Sequence, residues 1–282
     1  MSGQKVEMTA AAISFIEAHL QERLDLDTAA DAVHYSKYHL HRIFTDTAGI
    51  TPHDYIRRRQ LTRAAKLLVS SEKPIIEIAL SAGYESQQAF TSVFKAMYKQ
   101  TPLEYRRNGT FWPLQLELVL NEETDAPDTT EISYAVPADI PGWMDFTALV
   151  IDGFPRFDAA SHLEQVERYV RRRQALIMRD GAAVIGAAAF SYRAGSIDFL
   201  AAHPQYRRHG VMEALLDVMT REVFMGRAIS ITTFRQGDRA DPGQREAYMR
   251  LGFAGAELLT EFGYPVQRLI LTPGRGRRGD GG

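Results

Sequence analysis

"AGYESQQAFTSVFK", Ala82–Lys95, opens on a glycine turn and runs into a helical pattern. Glu85, Ser86, Gln87 and Gln88 precede Phe90, Val93 and Phe94. Apolar residues three and four apart share one face of a helix, which leaves the amides on the other. Displaced by 50 residues, the pattern occurs a second time: Phe94 falls on Phe44, Phe90 on Leu40, Val93 on Ile43 and Ser86 on Ser36. Thr101-Pro102 falls on Thr51-Pro52, and Tyr105 on Tyr55. One supersecondary unit is written twice.

Each copy reads as a short helix, a tight turn and a second helix. In the first copy "LDTAADAVHY" (Leu26–Tyr35) is the first helix with its exit. "SKYHLHRIFTDTAG" (Ser36–Gly49) is the second, with Ser36 as N-cap and Gly49 as stop. In the second copy "PIIEIALSAGY" (Pro74–Tyr84) leads through Ala82-Gly83 into the opening stretch. Two helices joined by a short glycine-containing turn are a helix-turn-helix unit. Each Thr-Pro starts a further helix, threonine capping it and proline at its first position. "PHDYIRRRQLTRAAKLLVSS" (Pro52–Ser71) is long enough to join the copies rigidly.

The apolar stripes predict that Leu40, Ile43 and Phe44 pack inward in copy one, and Ala89, Phe90, Val93, Phe94 and Met97 in copy two. Outward stand Lys37, Tyr38, His41 and Arg42, then Glu85, Gln87, Gln88, Thr91, Ser92 and Lys95. Arginine grips guanine O6 and N7 with two bonds and glutamine pairs with adenine, so Arg42, Gln87 and Gln88 suit base edges. For a single helix, a solvated face explains the same residues. Two copies on one linker helix favour double-stranded DNA, whose successive major-groove faces lie one turn, roughly 34 Å, apart. Arg57, Arg58, Arg59 and Arg63 on the linker helix read either as phosphate contacts or as a solvated basic face.

A chain of 282 residues suggests two domains. It has no cysteine, which excludes disulfides and thiolate metal sites and fits a reducing cytosol. No signal-peptide pattern stands at its start and no apolar run is long enough to span a bilayer, so a cytoplasmic protein without a membrane partner is expected. The net charge is only −2, with a mildly basic first part and an acidic remainder. Lys99 is the last lysine, and this break points to two modules. The expected division is a DNA-binding domain at 1–108, a linker at 109–130, a mixed α/β domain at 131–272 and a disordered tail at 273–282. Within the linker, "FWPLQLELVL" (Phe111–Leu120) alternates like a strand and so can dock on a neighbour.

On "YSKYHLHRIF", "ITPHDYIRRRQL", "PIIEIALSAGYESQQAF" and "TPLEYRR", residues 9–107 resemble the tandem helix-turn-helix domain of AraC/XylS transcription regulators, in the MarA- and Rob-like branch. The resemblance implies that helices at 36–47 and 85–97 enter neighbouring major grooves. It assigns base contacts to Tyr38, His41 and Arg42, and to Gln87 and Gln88. Ser92 stands where close relatives have arginine and Tyr38 replaces a tryptophan, so the operator is not transferable.

The second module reads as mixed α/β, with an antiparallel run, "ALIMRD", "AAVIGAAAFSYR" and "SIDFLAAHP", in the middle. The pair Asp180-Gly181 makes a hairpin turn. In "HPQYRRHGVMEALL" a strand ends, a basic loop turns at Gly210 and a helix begins. Such a helix start suits a phosphate, because its N–H groups are free and its dipole helps. With "AYMRLGF" about forty residues on, this order resembles the GNAT N-acetyltransferase fold over about 131 to 272. The family's pyrophosphate signature matches at Arg207 and Gly210 and fails at Met212. The resemblance implies acetyl-CoA as cofactor, with Arg207, Arg208, His209, Gly210, Val211 and Met212 around its pyrophosphate. It implies Tyr248 as the acid that protonates the departing sulfur, and it puts Asp241 where an asparagine is usual.

Acetyl transfer also needs a base for the amine. Asp198 is the candidate, with a solvent-facing strand residue as its alternative; for Tyr248 the alternative is a core residue under Phe253. His203 and His209 read as loop and surface groups, and nothing has metal-ligand spacing. Three readings stay open. One is a sequence-specific regulator whose GNAT-like half senses a small-molecule effector, with RNA polymerase as a further partner. The second is an N-acetyltransferase of a small amine substrate that also binds DNA. The third makes the GNAT-like half a dimerisation module. The regulator uses both halves.

Overall fold

Caps written in the sequence start and stop the helices of the first unit. Helices α1 Ser2–Ala18, α2 Leu26–Ala32, α3 Lys37–Ala48, α4 Pro52–Ser70, α5 Ile75–Ser81, α6 Gln87–Tyr98 and α7 Pro102–Asn108 follow in order. The Ser36 side chain accepts from the His39 N–H at 3.4 Å, and Ser86 from Ala89 at 3.2 Å. Thr51 accepts from Asp54 and Thr101 from Glu104, each with proline at the next position. Glu104 returns a bond to the Thr101 N–H, which closes a capping box and holds its carboxyl below the usual range. α3 stops on Gly49 at φ 68°; α6 stops in the same left-handed conformation on Lys99 at φ 59°. The repeat keeps the conformation even where it lacks the glycine.

The computed structural model describes residues 2–22, 24–120, 131–150, 159–207, 209–261 and 263–273. It divides into two units: Met1–Asp128 with Thr147–Asp158 and Pro204–Arg208, and Thr129–Phe146 with Ala159–His203 and His209–Gly282. Linker residues 121–130, Arg208 and tail residues 274–282 lie outside the described residues.

Each helix-turn-helix copy has its own core. Leu40 and Phe44 pack with Ile16, Ala30, Tyr55 and Leu118; Phe90 and Phe94 pack with Leu68, Ile78, Tyr98 and Tyr105. The alternating segment 111–120 forms no strand, yet Trp112 and Leu114 join the second core and Leu118 the first. Side chains of the helices satisfy its backbone. Thr62 accepts from the Leu114 and Gln115 N–H groups, and Tyr55 from that of Leu118. The Tyr105 hydroxyl both accepts from and donates to the Trp112 backbone. The segment is a strap across both copies, held by α4 and α7.

This arrangement corrects the reading of the linker-helix arginines. Arg58 is 2% exposed and Arg59 is paired with Glu17, because α4 lies between the cores and its faces are covered. Arg57 is paired with Asp54. Ala89 is a second correction: it is exposed, because the buried arc of α6 runs through Phe90, Phe94, Met97 and Tyr98 and leaves the third helical residue outside. Val93 is half-buried.

The second unit contains β1 Ile132–Tyr134, the part of α8 (Ile140–Val150) up to Phe146, α9 Ala159–Arg171, β2 Ala175–Asp180, β3 Ala183–Ser191, β4 Ser196–Ala202, α10 Val211–Val218, β5 Ile229–Phe234, α11 Gln244–Arg250, β6 Ala254–Glu261 and β7 Tyr264–Leu271. The strands form one sheet in the order β1-β2-β3-β4-β5-β7-β6. All neighbours are antiparallel except β4 and β5, which pair only at Ser196–Ser230 and Ile197–Ile231. A helical tandem repeat followed by a mixed α/β sheet is the expected fold class.

His162 of α9 lies 6.1 Å, ring to ring, from Phe199, and burial holds its pKa below the ordinary 6.5. The unfolded chain therefore takes up a proton near pH 6.5 that the folded chain refuses until lower pH. The stability this histidine supports is complete above that value and is lost as pH falls. Thermal unfolding between pH 7.5 and 5.5 should show a steeper loss for the native chain than for His162→Phe; equal slopes would show the ring to be silent.

Candidate functional sites

The exposed faces of α3 and α6 are the first site. Lys37, Tyr38, His41 and Arg42 stand outside on α3; Glu85 stands before α6, and Gln87, Gln88, Ser92 and Lys95 stand outside on it, with Thr91 half-buried. Tyr38 is 80% exposed, so its ring is accessible to a partner. Lys37 is not an open cation. Its ammonium lies 3.2 Å from Asp27 of α2, whose hydrogen bond and charge raise the Lys37 pKa. A phosphate approaching Lys37 would compete with Asp27, a partner that no periodicity in the sequence marks. Arg42 and Lys95 belong to the outward set in their respective copies, and each copy adds groups able to hydrogen-bond a base edge.

The β4–α10 loop is the second site. α10 can lie on β3 because Gly186 has no side chain: a Cβ there would sit 2.3 Å from Val211 Cγ1. Gly210 caps α10 at φ 72°, with nothing within 4 Å of where its Cβ would be. The space beside the Gly210 Cα is therefore open. Val211 is fully buried, so only its backbone is left for the expected pyrophosphate; Met212 is half-buried and His209 exposed. Glu213 occupies the first turn of α10 and opposes an anion. Arg207 is half-buried and falls in the first unit, while His209–Met212 fall in the second.

Tyr248 and Asp198 face different partners. The Tyr248 hydroxyl, 2% exposed as a residue, donates to the Leu200 carbonyl at 3.0 Å and accepts from Gln244 at 2.9 Å. Its ring lies 6.2 Å from that of Phe253. Leu200 is three residues beyond Ile197, the last β4 position paired to β5, so the phenol sits where these strands part. The Asp198 carboxylate is exposed; it accepts from Tyr169 and from Ser196, each at 2.7 Å. Asp241 accepts the Gly243 and Gln244 N–H groups and so caps α11, work that an asparagine can also do. His203 is buried at 3% exposure, against the expectation of a surface group, because the strand end still pairs there: its N–H donates to the Ile185 carbonyl.

Among the described residues no group of three or more His, Cys, Asp or Glu could hold a metal ion, and no helix is long and apolar enough to cross a membrane.

Known proteins resemble the two halves separately. The Helix-turn-helix domain family matches residues 29–108, and the Acetyltransferase (GNAT) family matches 143–253. The probable transcription factor PqrA of Proteus vulgaris is 43% identical over 100 residues, 35% of this chain and 82% of that protein. The transcriptional regulator Rob of Salmonella typhimurium is 44% identical over 95 residues, 34% of this chain; the match spans only 33% of Rob. A crystal structure of a GNAT-family acetyltransferase from Desulfovibrio desulfuricans aligns over 51% of this chain and 99% of its own, at 21% identity and a TM-score of 0.42.

Proposed function

We infer the function from this premise: the chain belongs to the AraC-type helix-turn-helix family of transcription regulators, and a GNAT-family domain follows that module. α3 and α6 enter successive major grooves of double-stranded DNA. Tyr38, His41 and Arg42 read one half-site, and Gln87, Gln88, Thr91 and Ser92 the other; Lys37 and Lys95 approach phosphates. The observation that carries this reading is the fully presented Tyr38 beside exposed His41 and Arg42, on a helix whose opposite side is core. RNA polymerase is the expected further partner, and the cytoplasm follows from the DNA target.

Arg42→Ala should weaken binding by about 1–3 kcal/mol and relax preference at one base pair. Selection from randomised duplexes, followed by anisotropy titrations on single-base variants, measures both. An equal loss on every sequence would reduce Arg42 to a phosphate contact.

The GNAT domain senses a small ligand, with acetyl-CoA as a cofactor its loop can hold. His209, Gly210, Val211 and Met212 offer backbone at the α10 start, with Arg207 and Arg208 preceding them. Met212 and Glu213 lower the affinity, one by bulk and the other by charge. Acetyl-CoA would supply an activated acyl group. A second reading is N-acetyl transfer to a small amine: the amine gives up a proton to solvent or a base and attacks the thioester carbonyl, the C–S bond breaks, and the Tyr248 phenol, which here donates to the Leu200 carbonyl, would turn to protonate the departing thiolate. Free thiol should then appear when the protein meets acetyl-CoA and a polyamine or cationic antibiotic, and Tyr248→Phe should slow it. No thiol and no acetyl-CoA heat by calorimetry would eliminate the enzyme and leave the regulator.

A further inference from the structure

We propose that the cleft between the second half of α9 and the β3–β4 end of the sheet binds a small zwitterion of the amino-acid class. The proposal rests on the reading that this unit senses a small molecule. The cleft holds about 220 Å³ and is lined by Gln165, Arg168, Tyr169, Arg172, Gln174 and Ser191, with Asp198 as its acid. Every lining residue carries a polar or charged group, so a ligand there meets hydrogen-bonding and charged partners at its rim. The volume lies below the roughly 300–1,000 Å³ of pockets for drug-sized ligands and suits a small metabolite.

The charges divide between two walls. Arg168 lies in the last turn of α9 and Arg172 is the residue just past its end, where its N–H donates to the Arg168 carbonyl at 3.1 Å; both line the cleft. Two such forks suit a single carboxylate. Asp198 comes from the sheet. In the β3–β4 ladder Ala189 pairs with Phe199 and Phe190 with Ile197, so Asp198 is the extra residue of a β-bulge. A bulge re-aims a side chain that regular pleating would direct elsewhere. The Tyr169 and Ser196 hydroxyls each donate to a different Asp198 oxygen, which fixes the carboxylate before any ligand arrives. A carboxylate has about four acceptor positions, and two are thereby used. An ammonium group can take the others. Burial and the Asp198 bond raise the Tyr169 pKa, so its phenol stays a donor. Gln165, Gln174 and Ser191 remain to recognise a polar side chain. This site is separate from the β4–α10 loop: Asp198 is the third residue of β4, just past its last β5-paired position, and the loop leaves from the strand's other end.

The full chain is titrated calorimetrically with each standard L-amino acid, and with the amine and the carboxylic acid that each lack one charge. At least one amino acid should bind, with both single-charge analogues at least tenfold weaker. Asp198→Asn keeps an acceptor for Tyr169, so the fold should hold, yet it should weaken binding tenfold or more. The exposed pair Arg168→Ala with Arg172→Ala should do the same. Absence of binding by every amino acid, or binding that survives these variants, overturns the site. Operator affinity is measured alongside. Binding in the cleft that leaves operator affinity unchanged overturns sensing and keeps the site. An amino-acid effect on operator affinity that survives Asp198→Asn overturns the site and keeps sensing.

Discussion

Phe94→Ala is expected to destabilise the first unit by about 3–5 kcal/mol, the range for emptying a filled aromatic site in a core. Phe94 is fully buried and stacks on Tyr98 at 4.4 Å between ring centres. Phe90 lies 5.3 Å away and Tyr105 meets the ring edge-on at 5.4 Å. These neighbours belong to α6 and α7, and Tyr105 is fixed in turn to the Trp112 backbone, so the surroundings have little freedom to close on the vacancy. The repeat predicts a comparable loss for Phe44→Ala, since Phe44 is equally buried and meets Tyr55 at 5.6 Å. Ala89→Ser, on the exposed side of α6, should stay within about 0.5 kcal/mol. Urea unfolding of the three variants is the measurement. A Phe94→Ala loss no greater than that of Ala89→Ser would mean that the duplicated stripes do not build the core, and the placement of the outward faces would go with it.

That contrast shows what the sequence could convey. Phe44, Phe90 and Phe94 were legible because apolar spacing reports a helix face, and Ser36, Ser86, Thr51 and Thr101 because a cap is a local event. Ala89 was not legible: it lies at the margin of the stripe, and a methyl group tolerates either side. Arg58 and Arg59 read as a surface in any window, since the groups that cover them, Leu114 for the first and Glu17 and Gln115 for the second, are 56, 42 and 56 residues away in sequence. Segment 111–120 alternates because it straddles two cores. Its N–H groups go to Tyr55, Thr62 and Tyr105 rather than to a neighbouring strand. In the second unit, the order of strands and helices was readable, as was the turn at Gly210. The orientation of Asp198 was not, because it depends on a one-residue bulge and on the hydroxyl of Tyr169, neither of which leaves a periodic mark.

Glu17→Ala should destabilise the first unit by about 3–5 kcal/mol, as breaking a buried ion pair from one side does. Glu17 and Arg59 are each only 14% exposed at the side chain. Burial works against the Arg59 charge, and the Glu17 hydrogen bond and charge more than offset it, so the guanidinium stands above its ordinary pKa. Glu17 also accepts the Tyr55 hydroxyl at 2.7 Å, and that hydroxyl in turn accepts the Leu118 N–H of the strap. Arg59 donates to the strap carbonyl of Gln115 at 2.9 Å. Removing the carboxylate thus strands a charge and loosens two anchors of one segment. The double variant Glu17→Leu with Arg59→Met strands no charge, and by the same reasoning should lose far less than the two single losses together. A gap of at least about 1 kcal/mol in this cycle is expected, and it should persist in high salt because shielded pairs are poorly screened. Protease cleavage within 111–120 should accelerate in Glu17→Ala before global unfolding does. Additive single losses, or cleavage that tracks only global unfolding, would show that the pair adds charge to α4 without holding the strap to it.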